Sequence, residues 1–396
     1  MLTPTFTLSQ SEEFIILSCK CPFLKTQEID ISIQNQNIKL LAKPYFLNLT
    51  LNNKLVEESE NNCTTYDIST GLLTCKIEKF HKIHFEDLDL LTNLLVKKDK
   101  NLPFKPMIQV IEPTSADSTS LDDELDDAEG VLDIENLDSS TNESRIEFKC
   151  KMENLKFNDD HYISDFVNDG DIKELIKYKT DFQKMLKIKQ EDPSKFEFTF
   201  DQNENNMMMN LNNRDYIVDH PKILYLGVVD ILFSYCYNKR INEGDSNVES
   251  SWNLVKLSST LCCFQTFETV RDVALSFYRR SLTYPLYRNY ELCSKIQKDV
   301  VILLKLGKKP ILRAFLEIKN IFAGDEVFSF VNRLWIDDYC CWLQKSKNKF
   351  YFELGSELNH LKIEKSDMKE FQLEELEELA RESLDENGNP ESSMQE

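Results

Sequence analysis

The chain reads as a multi-domain protein: an N-terminal all-β sandwich, then an all-α domain, with an acidic linker between them. Three observations predict this. Residues 3–77 break into about seven short segments of alternating polarity, punctuated by turn residues. From about residue 150 the apolar spacing becomes helical, and residues 223–233 are apolar nearly all round. Between the two, residues 99–145 exchange core-forming side chains for Pro, Ser, Thr and a dense acidic run over 122–129.

The strands follow in order. Residues 3–9 alternate, and residues 14–20 come after a polar turn. Residues 28–33 and 38–43 flank Gln34, Asn35, Gln36 and Asn37, a hairpin loop. Residues 45–51 alternate again after Pro44, and residues 63–68 and 72–77 flank the tight turn of Ser69, Thr70 and Gly71. In residues 85–95, Leu88, Leu91, Leu94 and Leu95 are spaced for a short clasp against the sandwich. The first domain therefore spans 1–98. Residues 99–150 are expected to form a disordered acidic linker, so proteolysis should cut first within 100–145.

The all-α domain is expected over 151–350, with an acidic helical tail at 351–396. Residues 171–190 form a lysine-rich amphipathic pattern, and Met207 to Met209 pack or end a short helix. Pro221 starts a helix through Tyr237 whose apolar periphery marks it as central and buried. Further helices are expected at 248–260, 267–280, 286–306, 310–322 and 325–344, with Gly307 as a stop and Pro310 in a first turn. Trp252, Trp335 and Trp342 lie on these patterns as core candidates. In the tail, 368–384 is helix-like, with Phe371, Leu376 and Leu379 on one apolar face.

Composition narrows the function. The 396 residues carry a net charge of −21, which opposes general nucleic-acid binding and suits a basic partner. The N-terminal residues lack the basic and apolar regions of a signal peptide, and no apolar run reaches membrane-spanning length. Eleven cysteines without a Cys-x-x-Cys pair read as buried free thiols in a reducing compartment. The sequons at Asn48 and Asn62 are then accidental. His81 and His84 have no third ligand near them in sequence, so no metal site is expected. No nucleophile–base pair, cofactor loop or metal cluster stands out; no catalytic residue or cofactor is assigned, and an interaction protein is favoured over an enzyme.

The stretch 278–290 concentrates Tyr278, Tyr284, Tyr287 and Tyr290 with Arg279, Arg280 and Arg288 around Pro285. Pro285 disfavours helix at Tyr284, so one helix ends there and another begins. Tyr and Arg bury a body and present a polar tip, which suits either a polar-edged hinge or a partner surface. With Lys295, Lys298, Lys305, Lys308, Lys309 and Arg313 they form a basic stripe in an acidic chain. Interleaved Tyr and Arg could stack on single-stranded RNA; pairing with the chain's own acids is the alternative.

The opening Met1-Leu-Thr-Pro-Thr-Phe, then Lys43-Pro-Tyr-Phe-Leu-Asn-Leu-Thr-Leu and His84-Phe-Glu-Asp-Leu-Asp-Leu, resemble the N-terminal CS domain of the SHQ family of H/ACA ribonucleoprotein assembly chaperones. Asn154-Leu-Lys-Phe-Asn with Tyr162, Ser281-Leu-Thr-Tyr-Pro-Leu-Tyr-Arg-Asn-Tyr, and Gly307-Lys-Lys-Pro-Ile-Leu-Arg-Ala resemble that family's helical domain. The likeness touches both ordered regions; the linker does not take part in it. It implies a small-heat-shock-like sandwich followed by the family's all-α domain. It also implies a chaperone that holds a dyskerin-type pseudouridine synthase before guide-RNA loading, covering the synthase's RNA-binding surface as a placeholder. It further implies a nuclear, nucleoplasmic location with a cytoplasmic pool, an ATPase-driven release machinery, and neither stable RNA binding nor membrane association. The expected partner contacts are Arg279, Arg280, Tyr284, Tyr287, Arg288, Asn289, Tyr290, Lys308, Lys309 and Arg313.

Overall fold

The computed structural model describes residues 1–22, 24, 29–95, 141–192, 196, 198–214, 216, 218 and 220–387. Of the linker expected over 99–150, residues 99–140 lie outside the described residues, as does the end of the tail at 388–396. Among the described residues the strands are β1 (Thr5–Gln10), β2 (Phe14–Lys20), β3 (Ile29–Gln34), β4 (Asn37–Ala42), β5 (Tyr45–Thr50), β6 (Cys63–Asp67) and β7 (Leu72–Glu78). The helices are α1 (Leu91–Leu94), α2 (Asn142–Lys156), α3 (Asp159–Val167), α4 (Gly170–Lys177), α5 (Asp181–Glu191), α6 (Gln202–Asn210), α7 (Pro221–Ile241), α8 (Ser250–Leu257), α9 (Ser259–Cys263), α10 (Val270–Thr283), α11 (Tyr290–Leu306), α12 (Lys308–Ala323), α13 (Asp337–Lys345), α14 (Asn348–His360) and α15 (Leu373–Asn387).

The chain divides into two compact units that are not contiguous stretches. One comprises Met1–Asp99, Glu197–Ile217 and Ile336–Ser346; the other comprises Lys100–Phe196, Val218–Trp335 and Lys347–Glu396.

In the first unit, antiparallel sheets run in the orders β1-β2-β7-β6 and β3-β4-β5. Alternation decides which face is buried. Ile15, Leu17 and Cys19 of β2 lie opposite Ile77, Cys75 and Leu73 of β7, and all six are buried. Ile38 and Leu40 of β4 likewise face Leu49 and Leu47 of β5. A one-residue slip would turn each set outward, so the register is fixed by the core. Burial pushes the Cys21 and Cys75 thiols up to about 11, as expected of inert core cysteines. The clasp inserts Phe85, Leu88, Leu90, Leu91 and Leu94. Thr92 on α1 donates to the Met208 carbonyl of α6 and accepts from Gln344 Nε2 of α13 at 2.9 Å. Asn213 Nδ2 caps the Leu95 carbonyl at 2.7 Å. This unit therefore draws two helices from far along the chain, which strand periodicity in 1–98 could not reveal.

In the second unit, α7 is buried along most of its length, as its apolar periphery predicts. Phe233 stacks on Phe277 of α10 with ring centroids 4.6 Å apart. Several elements differ from expectation. The helix expected over 171–190 is two helices, because the carbonyls at the end of α4 accept from Arg240 Nη1 in place of a further turn: Leu175 at 2.6 Å, Ile176 at 3.3 Å and Tyr178, just beyond, at 3.0 Å. The helix expected over 248–260 breaks at Ser258, whose hydroxyl accepts from Leu261 N and donates to the buried Asp230. α2 begins at Asn142, inside the stretch assigned to the linker, with Thr141 as its N-cap. Residues 325–344 are not one helix: a π-turn, Asn332–Ile336, precedes α13. α14 opens at Asn348, three residues before the helical tail expected from 351, and fills the tail's first part, where no individual helix is expected. Trp252, Trp335 and Trp342 are half-buried rather than in the core. In the tail, Phe371, Leu373 and Ala380 are buried but Leu379 is exposed, because the chain kinks at Gln372 into the left-handed region and restarts the helical phase. The tail packs as part of this unit: Phe371 stacks on Phe157 at 4.2 Å, and Glu377 accepts from Tyr162 at 2.8 Å.

Candidate functional site

The stretch 278–290 is the junction between α10 and α11. α10 opens on a capping box of Thr269 and Asp272 and ends at Tyr284, immediately before Pro285. α11 begins at Tyr290 and not near Leu286, because Asn289 is its N-cap and accepts from Leu292 N at 3.0 Å. The intervening turn is bracketed from two sides. The Tyr237 hydroxyl accepts from Tyr287 N at 3.3 Å and donates to Tyr287 O at 3.1 Å. Arg288 N donates to Asp165 at 2.7 Å, and His161 contacts the Leu286 carbonyl at 3.0 Å.

Within this junction the expected partner residues separate into two groups. Arg279 and Arg280 point inward and are buried. Arg279 Nε donates to Glu153 Oε2 at 2.9 Å and its Nη1 to Glu370 at 3.1 Å, with a further bond to Asn154; its guanidinium lies 4.7 Å from the Phe371 ring centre. Arg280 Nη1 reaches Glu153 Oε1 at 3.3 Å while its Nε donates to the Lys256 carbonyl at 2.6 Å. Lys149 Nζ stands 3.8 Å from the same carboxylate and donates to Ser276 at 2.8 Å. Three cations thus converge on Glu153, and the two arginines bind α10 to α2. Asn289 is a buried cap. Lys308 is buried near Gly307, its N–H donating to Asn348 at 2.7 Å, and Lys309 and Arg313 are half-buried along α12.

Tyr284, Tyr287, Arg288 and Tyr290 remain half-buried, with Leu286 exposed between them. Arg288 Nε folds back onto the Pro285 carbonyl at 3.1 Å. Tyr290 donates to the Ile363 carbonyl and meets Tyr278 edge-on at 5.7 Å. Beside them lies a cavity of about 400 Å³, lined by Tyr278, Tyr290, Gln297, Lys298, Leu358 and Lys362 among others. Gln297 shapes its wall: it accepts from Tyr278 at 2.9 Å and donates to the carbonyls of Leu358 (3.0 Å) and Leu361 (2.9 Å). Lys298 and Lys362 stand exposed at its rim. Sequence reasoning placed Lys298 only in the basic stripe and missed Gln297 and Lys362, which come together through folding of the tail.

The buried cations also set a pH dependence. Lys256 lies 4.6 Å from the Tyr284 ring, and its ammonium is pushed down from 10.5 to about 8, first by burial and then by Arg280. The native state binds fewer protons here than the unfolded chain between these values. Stability should therefore rise as pH climbs from 8 towards 10.5 and be lower below 8. Lys256→Met is expected to remove that rise. Urea midpoints of parent and variant at pH 7 and 9.5 check this; an unchanged pH difference between them counts against it.

Among the described residues no group of three or more His, Cys, Asp or Glu side chains could hold a metal ion, and no helix is long and apolar enough to cross a membrane. Comparison with known proteins follows the two units only in part. Residues 3–95 match the family model described as SHQ1-like, CS domain, and residues 189–373 match SHQ1 protein, Shq1 domain. The chain is 35% identical to Protein SHQ1 homolog of Xenopus tropicalis, over 96% of this chain and 70% of the relative. It is 31% identical to Protein shq1 of Schizosaccharomyces pombe, over 97% of each chain. To Protein SHQ1 homolog of Caenorhabditis elegans it is 26% identical, over 99% of this chain and 100% of the relative.

Proposed function

The chain belongs to the SHQ1 family, and from that premise we propose that it is an assembly chaperone for H/ACA ribonucleoproteins. It holds a dyskerin-type pseudouridine synthase before guide-RNA loading, occupies the synthase's RNA-binding surface as a placeholder, and performs no catalysis of its own. The observation that carries this is likeness running through both the sheet region and the helical region of relatives matched nearly end to end. The charge of −21 supports it, since a basic RNA-binding face is complemented by an acidic occupant. The nucleus, with a cytoplasmic pool, is the expected place of action, and an ATPase-driven machinery the means of release.

With Arg279 and Arg280 engaged inside the fold, the contact surface is narrowed to Leu286, Tyr287, Arg288 and Tyr290 beside the cavity rim. Arg288→Ala is expected to leave the melting temperature nearly unchanged, because among the described residues its side chain bonds only locally, to the Pro285 carbonyl. It should weaken synthase binding by about 30-fold or more, the effect of truncating an arginine at an interface centre. Titration of the full chain onto the synthase, with guide RNA as competitor, measures both points. Normal binding by Arg288→Ala removes this surface from the interface. A stable ternary complex with guide RNA in its usual site defeats the placeholder reading. Tight binding of guide RNA by the chain alone would favour direct RNA recognition instead.

A further inference from the structure

We propose that Cys262 and Cys263 form a reactive vicinal dithiol, a modification site for hydroperoxides in which Cys263 attacks and Cys262 resolves. Their sulfurs lie 2.9 Å apart at the end of α9. Cys262 is buried and Cys263 only partly so, which makes Cys263 the more accessible of the two sulfurs. Arg280 Nη1 stands 3.9 Å from Cys263 Sγ, on the same guanidinium that pairs with Glu153.

The surrounding charge explains why this thiol differs from the others. Lys149 and Glu153 of α2, Lys256 of α8 and Arg280 of α10 all act on the pair. Lys149, Arg279 and Arg280 share Glu153, and Glu370 takes one side of Arg279. That leaves positive charge in excess, and a thiolate at Cys263 offsets it. The Cys263 thiol is pushed below the ordinary thiol range, first by the hydrogen bond from Cys262 and then by Arg280 and Lys149. Burial drives Cys262 in the opposite direction. One sulfur is thus an acceptor at neutral pH and the other its donor, whereas burial alone raises the thiols of the sandwich.

The chemistry balances. The Cys263 thiolate attacks one peroxide oxygen and breaks the O–O bond; the sulfur becomes a sulfenic acid, and the departing alkoxide or hydroxide takes a proton. The Cys262 thiol then attacks that sulfur, forming the S–S bond and expelling hydroxide, which leaves as water with the Cys262 proton. Two thiols and one hydroperoxide give a disulfide, an alcohol (water, for hydrogen peroxide) and water. Neighbouring Cα atoms sit about 3.8 Å apart, below the usual disulfide range, so the ring is strained and readily reduced by thiols. Oxidation also removes the anion beside Arg280, which loosens the charge cluster between α2 and α10.

The test treats the full chain with hydrogen peroxide at pH 7 and follows each cysteine by mass spectrometry. Cys63, which is exposed, is the internal reference. Cys263 should oxidise about threefold faster than Cys63, because a thiolate held beside Arg280 gains more in ionised fraction than it loses in intrinsic nucleophilicity. The product should be a thiol-reversible Cys262–Cys263 link, and Cys262→Ser should accumulate a sulfenic acid at Cys263. If Cys263 reacts no faster than Cys63, or joins a cysteine other than Cys262, the proposal is overturned. The rate comparison needs only the parent chain and decides the matter even where the variant does not fold.

Discussion

Arg240→Met is expected to cost the helical unit about 3–5 kcal/mol and to lower its melting temperature by roughly 6–20 °C. Arg240 is fully buried near the end of α7, and its Nε donates to Asp299 of α11 at 2.7 Å. Its Nη1 meanwhile donates to three carbonyls at the end of α4 and the following turn. Asp299 also accepts from Gln183 of α5 at 2.8 Å. The Arg240–Asp299 pair therefore ties four helices together. Methionine approximates its volume but offers no donor. Asp299 would be left as a buried carboxylate facing one amide, and burial already pushes its carboxyl above the ordinary range against the pull of Arg240. The α4 carbonyls would lose their cap without gaining water.

The double variant Arg240→Met/Asp299→Leu separates the pair's own worth from the penalty of orphaning one partner. Breaking a buried pair is costly, whereas replacing both members by apolar groups is often close to neutral. The double variant should recover at least half of the lost stability in thermal melts. A single variant that melts within about 2 °C of the parent would show that Asp299 finds other partners and that the clamp is dispensable.

Local pattern and distant pairing were not equally legible in the sequence. The alternation in β2, β4, β5 and β7 was readable because each strand buries one face, and period two survives any tertiary context. The buried α7 was readable for the opposite reason: it has no polar face to misplace. Pro285 locates the α10 end, but the side chain of Asn289, expected as a contact, is used as a helix cap. The direction of Arg279 was beyond reach, because its partner Glu153 lies 126 residues away and nothing around Met152 and Asn154 marks that glutamate. An arginine before a proline turn looks the same whether it faces solvent or a buried carboxylate. The spacing of Leu88, Leu91 and Leu94 carries no sign of the α6 and α13 partners of Thr92, which stand more than a hundred residues downstream. The cavity beside Tyr290 shares this property, since Lys298 and Lys362 meet only after the tail has packed.

Glu153→Gln is the second large effect expected, a loss of about 3–5 kcal/mol concentrated at α2. The carboxylate is fully buried and receives Arg279 on one oxygen and Arg280 on the other, with Lys149 beside it. Glutamine keeps the shape but not the charge. Its amide nitrogen would point at least one donor towards a guanidinium, which has no acceptor to offer. Lys149 and Arg280 would then be buried without their shared anion, whereas Arg279 keeps Glu370 at the surface. Because α2 is joined to α10 through these bonds, amide exchange along α2 should accelerate more than along α7 or α11. Hydrogen exchange on the full chain reads this directly, beside the thermal melt. Uniform acceleration across all three helices would mean that Glu153 supports the whole unit and not the α2 contact. No acceleration would mean that the three cations are stabilised without it. Removing this anion also strengthens the positive field at Cys263, where Glu153 opposes ionisation. In whatever fraction remains folded, the Cys263 thiol of Glu153→Gln should therefore be alkylated faster at pH 6 than in the parent.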